Sequence, residues 1–168
     1  MSAIGEFRTA AERFRQAVED AAASPPGGLS ARRLRNAVAR LYLAAALLPR
    51  VALDEPAGKE PTPAQRQSDA LEAALRDRFG PADTFVAVSD PTRAEADDPV
   101  RRTLAGELVE IYEDVGDALA LLDAGGGPEA LWDIGFAFET HWGKHAVDVL
   151  RPLHQLATGP LRQSSQPS

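Results

Sequence analysis

Apolar residues return every three or four positions along most of this chain, the spacing of helices that bury one face. Phe7, Ala10, Ala11, Phe14, Ala17, Val18 and Ala21 form the first stripe and predict a helix over 7–23, with Arg8, Glu12, Arg15 and Glu19 toward water. Ser24-Pro25-Pro26-Gly27-Gly28 ends it, because proline cannot continue the hydrogen-bond ladder and glycine favours the turn. Ser30 stands as the N-cap of a second helix reaching about Leu48. Its buried stripe is Leu34, Ala37, Val38, Leu41, Tyr42, Ala45 and Leu48, rimmed by Arg32, Arg33, Arg35 and Arg40. Pro49 stops it, and residues 54–63 read as a surface loop. A third helix from about Ala64 to Phe79 carries Leu71, Leu75 and Phe79 four apart, and Gly80-Pro81 closes it. Residues 84–88, TFVAV, are β-branched and aromatic but have no neighbouring hairpin partner, so they read as a packed loop segment before a turn at Asp90-Pro91.

Asp97 or Asp98 is the expected cap of a fourth helix, with Pro99 at the first helical position, where a missing N–H costs nothing. Leu104, Leu108, Ile111, Val115, Ala118 and Leu122 then alternate four and three apart, a seam that faces other helices. An acidic stripe, Glu107, Glu110, Asp114 and Asp117, runs beside it. Gly125-Gly126-Gly127 is too short a connection for anything but an antiparallel hairpin into a fifth helix beginning at Pro128. That helix holds both tryptophans and all three histidines of the chain, and Pro152 is expected to kink or end it. The pattern predicts an all-α fold: a single-domain, irregular bundle of about five helices over residues 1–157, with the fifth at its centre. The Ser-, Gln- and Pro-rich stretch 158–168 reads as a disordered tail.

Composition narrows the function classes. A length of 168 residues suits one domain with a real core. A net charge of −7 argues against nucleic-acid binding, which needs a basic surface. Residues 1–50 nevertheless carry a formal +4 and residues 51–168 a formal −11, so the two parts attract one another. With no cysteine, disulfides, thiolate zinc sites and cysteine nucleophiles are excluded. The longest apolar run, 41–48, is too short to span a bilayer, and the N-terminus lacks the apolar region of a secretory signal. The expectation is a cytoplasmic protein of bacterial origin, with no nucleic-acid or membrane partner.

Three groups invite chemistry. His141, His145 and Asp148 fall at i, i+4 and i+7 on one helical face. Two imidazoles one turn apart can ligate a divalent metal, and a carboxylate can complete the site, with Asp114 of the fourth helix as a further ligand. The bland alternative is a pair of structural histidines hydrogen-bonded to carboxylates or backbone, and it is the commoner outcome. No H-E-x-x-H base is present, since Trp142, Gly143 and Lys144 separate the two histidines. The acidic stripe is similar to the magnesium-binding pattern of all-α nucleotide pyrophosphohydrolases, although their acidic pairs come from two helices. Its ordinary reading is a solvated flank that pairs with arginines of the second helix. Trp132, Phe136, Phe138 and Trp142 form an aromatic set that either fills the core or anchors a partner. Trp142 is expected in the core.

The chain also resembles a bacterial family catalogued as domain of unknown function 5063. The likeness lies in residues 41–49 (LYLAAALLP), in Asp90-Pro91, in Leu108-x-x-Ile111-Tyr112-x-Asp114-Val115, and above all in Trp132-x-x-x-Phe136-x-Phe138-Glu139-x-His141-Trp142-Gly143-x-His145-Ala146. It implies a small all-helical protein and brings no activity. It also implies that Tyr42, Tyr112, Asp114, Glu139, His141, Trp142 and His145 belong to one constellation. Without a recognisable catalytic motif, the leading expectation is a non-enzymatic interaction or accessory protein that meets an unidentified protein partner through its aromatic final helix. It would need no cofactor. The alternative is a metal-dependent helical-bundle hydrolase using His141, His145 and carboxylates of the fourth helix.

Overall fold

Ser2 starts the first helix earlier than its apolar stripe does. Its hydroxyl accepts the Gly5 N–H at 3.2 Å, so α1 spans Ala3–Ala23. Ser30 caps α2 (Ala31–Ala46) in the same way, accepting from Arg33 at 3.3 Å. The computed structural model describes residues 2–25, 27–52, 65–88, 92 and 99–163. The expected loop at 54–63, the turn at Asp90-Pro91 and the caps Asp97 and Asp98 lie outside the described residues, as does the start of the third helix at Ala64. That helix, α3, is described over Gln65–Phe79.

Most of the stretch at 84–88 is a strand rather than a loop. β1 (Thr84–Ala87) pairs antiparallel with β2 (Val100–Thr103), Thr84 facing Thr103 and Ala87 facing Val100. Its partner lies well downstream, where no local hairpin signal points to it. Pairing also moves the start of the fourth helix. Pro99 precedes a strand, and α4 (Leu104–Asp123) is capped by Thr103, whose hydroxyl accepts from Gly106 at 3.2 Å. A second acceptor secures the same end. Asp83, almost fully buried, takes the Ala105 N–H at 2.8 Å, where the helix dipole favours a carboxylate. The hairpin and the start of α4 are thereby fixed to one another.

All six residues of the predicted seam on α4 are buried. Ala105 and Val109 are buried beside them, so α4 is covered on more than one face. It packs against α1, α3, α5 (Pro128–Ala137) and α6 (Gly143–Gln163), which makes α4, not the last helix, the shared element of the bundle. Phe7, Phe14 and Val18 of α1, Leu34, Val38 and Leu41 of α2, and Leu75 of α3 complete its core. Gly125 and Gly126, with φ of 130° and 57°, make the reversal after α4 that residues with a Cβ resist. The Gly126 N–H closes back on the Leu121 carbonyl at 3.2 Å.

The last helix is one continuous rod with a fault in it. α5 passes into a single π turn, Phe138–Trp142, and then into α6 (Gly143–Gln163). Pro152 neither ends the rod nor limits it. The carbonyl deprived of its helical donor is that of Asp148, on a half-buried flank within reach of water. Residues 158–163 are helical where a disordered tail was expected, and 164–168 lie outside the described residues. With this rod counted once, the described residues form five long helices, a short 3₁₀ turn at Gly80–Asp83 and one two-stranded sheet. No helix among the described residues is long and apolar enough to cross a membrane.

Candidate metal centre

The acidic stripe of α4 does not pair with the arginines of α2. Its Glu107 and Asp114 meet the two histidines of the final rod, while Glu110 and Asp117 are exposed. Asp114 Oδ2 is 2.6 Å from His141 Nδ1, and Glu107 Oε2 is 2.6 Å from His145 Nδ1. Arg102, from β2, donates to the other oxygen of Glu107 at 2.9 Å. The β hairpin thus supplies the cation that holds Glu107 in place, and Asp83 ties that hairpin to the helix carrying Glu107.

These contacts fix the histidine rings. A carboxylate can only accept from an imidazole, so each Nδ1 is the protonated nitrogen and each Nε2 points onward. Both converge on one oxygen, Glu110 Oε2, at 3.4 Å from His141 Nε2 and 4.0 Å from His145 Nε2. The ligating atoms of Glu110, His141 and His145 all lie within 4.8 Å of one another. The two rings stand edge to face with centroids 4.8 Å apart. His145 is only 6% exposed, and its Nε2 is buried with no hydrogen-bond partner. Leaving such a group unanswered costs about 1–3 kcal/mol.

Burial is graded across the cluster. Glu107 is 7% exposed, whereas His141 and Glu110 stand at the open rim. Burial pushes the Glu107 carboxyl upward, but its bonds to His145 and Arg102 outweigh that and hold it below the usual carboxylate range. Asp114 goes the other way. Burial raises it, with help from Asp117 and Glu110, and the His141 bond only partly compensates. Burial raises Asp148 as well, against the pull of Arg102. The bond to Glu107 raises Arg102 further. Glu107, Asp148 and Glu110 act on the one Arg102 guanidinium, and Asp114 adds a further carboxylate beside His141, so carboxylates outnumber the guanidinium and the cluster attracts cations.

The π turn contributes to the placement. His141 sits inside it, and the Gly143 N–H reaches back to the Phe138 carbonyl. A Cβ at Gly143 would come within 2.4 Å of that carbonyl oxygen, so glycine is required by the turn itself and not by a neighbouring helix. Single π turns of this kind recur at functional sites.

The residues named from sequence fall in several places. His141, His145 and Asp114 come together as expected, with Asp114 behind His141 rather than among the converging atoms. Asp148 lies outside the converging set and acts on it through charge alone. Trp142 is fully buried, and Phe138 packs between it and Tyr42, with ring centroids at 4.8 and 5.2 Å. Tyr112 belongs to a clasp between α1 and α4. Arg15 lies 3.8 Å over its ring and donates to both its carbonyl and its hydroxyl, and that hydroxyl donates to Glu19 at 2.6 Å. Arg15 therefore does not face water, and a Cβ at Gly116 would collide with it. Trp132 stacks on Phe136, and the exposed Glu139 pairs with Arg50 at 3.0 Å. Sequence reasoning missed Arg102. Val100-Arg101-Arg102-Thr103 has no apolar/polar alternation to mark it as a strand, and its place is set only by pairing with β1.

A family model described as Domain of unknown function (DUF5063) matches residues 2–158. Among solved structures, that of protein BF1032 from Bacteroides fragilis is similar over 92% of both chains, with a TM-score of 0.73 and 20% identity, a likeness of fold. No curated protein matches.

Proposed function

The chain belongs to the DUF5063 family, and from the paired histidines and carboxylates between α4 and α6 we propose that it binds a divalent transition-metal ion. One observation carries the reading: both imidazoles are pinned through Nδ1 by carboxylates while both Nε2 atoms turn toward Glu110, the buried one having no partner of its own. Carboxylate–histidine–metal relays are built in this way, the outer carboxylate setting the tautomer and raising ligand basicity. Ligands about 2.0–2.2 Å from a tetrahedral centre lie roughly 3.3–3.6 Å apart. The 3.4 Å and 4.0 Å separations from Glu110 approach that. Within a set spanning up to 4.8 Å, the two imidazoles would draw together around the ion as the exposed Glu110 side chain closes on it.

Two nitrogens and one oxygen favour zinc, manganese, iron or nickel over magnesium and calcium, which prefer all-oxygen cages. Three protein ligands at an open rim leave a coordination position to solvent, as in sites that activate water. The hydrolase reading rests on that open position. The accessory-protein reading stands beside it, favoured by the exposure of Phe136 and Val147 on the same rod.

Calorimetric titration of chelator-stripped protein with Zn²⁺ or Mn²⁺ tests the proposal. One ion should bind per chain, Glu110→Gln should nearly abolish binding without unfolding, and Asp114→Asn should weaken it about 10–100-fold. Absence of binding, or binding indifferent to both substitutions, would reject it.

A further inference from the structure

The other side of the rod carries a separate feature. A cavity of about 590 Å³ opens between the end of α2 and the α5–α6 rod, and it shares no residue with the histidine cluster. Its volume falls within the roughly 300–1,000 Å³ of small-ligand sites, and its half-open concave shape suits a small molecule better than a flat protein face. Trp132 and Phe136 form one wall, one turn apart, with rings parallel within 10° and centroids at 4.9 Å. Phe136 is 53% exposed, so a large apolar ring stands in solvent with room for another ring against it. Gly135 lies between the two, and nothing stands within 4 Å of where its Cβ would be.

The rim is charged against the grain of a chain with net charge −7. Arg50, Lys144 and Glu139 line the cavity, two cations to one carboxylate. Arg50 is engaged with Glu139, whereas Lys144 is exposed and has no ion pair among the described residues. Lys144 also exerts a charge pull on Asp148 one turn along the helix, and an aromatic wall with this exposed ammonium at its edge suits a ring that carries an acidic group. We infer that this cavity binds a small aromatic anion, its ring stacked on Phe136 and its acid at Lys144. The inference is independent of the metal reading, because the two sites have no residue in common.

The test uses the full chain with 1-anilinonaphthalene-8-sulfonate as a fluorescent probe and 2-naphthoate as competitor. Expected are one saturable probe site per chain, displacement by 2-naphthoate, and weaker displacement by the uncharged 2-naphthalenemethanol. Lys144→Glu should weaken probe binding about tenfold or more, the loss of one charge-assisted contact. Gly135→Leu, which fills open space, should block the probe while metal titration and melting temperature stay unchanged. The inference fails if no saturable site is found, or if Lys144→Glu binds as tightly as the native chain. It also fails if sedimentation reveals a dimer that Phe136→Ser dissolves, since a second copy would then fill the cavity.

Discussion

Along α4, an apolar stripe and an acidic stripe share one helix a single residue apart, and they reach opposite ends. Leu104, Leu108, Ile111 and Val115 are uniformly buried and need only hydrocarbon around them. The acidic stripe runs from Glu107, sealed under Arg102 and His145, to Asp117 in the open. The apolar residues are defined by their own spacing. Each acidic residue is defined by what another element delivers to it. The same helix is thus both the scaffold of the bundle and one half of its candidate site.

Breaking each stripe should separate the two kinds of interaction. Leu108→Ala removes a fully buried side chain from the packed seam and should cost about 2–5 kcal/mol in urea denaturation. The cation response should survive wherever the variant is folded. Glu107→Gln should cost less, about 1–3 kcal/mol, by weakening the bonds to His145 and Arg102. The sign with pH follows from the depressed Glu107 carboxyl. Its stabilisation is complete above the unfolded value of about 4.3 and is lost as pH falls through the lower folded value, so native and variant stabilities should converge in acid. A gap that persists unchanged to low pH would show that packing, not charge, holds Glu107 there.

The contrast also explains what the sequence could and could not convey. Periodicity alone specifies the seam on α4, the Ser30 cap and the burial of Trp142, because each depends on local spacing or on apolar bulk. The same periodicity places His141 and His145 on one face. It does not say which face of which helix they meet, and so Asp148, nearest in sequence, was expected in the cluster that Glu110 completes. β1 and β2 were invisible because their pairing is non-local, and with them went Arg102. Pro152 was expected to break a helix that continues through it, since a single missing donor at a half-buried flank is cheaply replaced by water.

Asp148 sharpens the comparison at its weakest point. Burial raises its carboxyl, so the ionised form disfavours the fold. Stability should therefore fall as pH rises from the unfolded value of about 3.9 through the raised folded one. Asp148→Asn should give a small gain in melting temperature at pH 7 that disappears below about pH 4, opposite in sign to Glu107→Gln. A loss at pH 7 would mean that Asp148 supports the cluster directly.

The central claim is that α4 carboxylates hold the Nδ1 protons so that two Nε2 atoms are free for a cation. Ring-nitrogen NMR of ¹⁵N-labelled protein observes those atoms themselves. At pH 7.5, before metal is added, His141 and His145 should carry the proton on Nδ1, and one equivalent of Zn²⁺ should shift both Nε2 resonances while each Nδ1 proton remains. Resonances unmoved by zinc, or a His145 proton residing on Nε2 alone, would contradict the account.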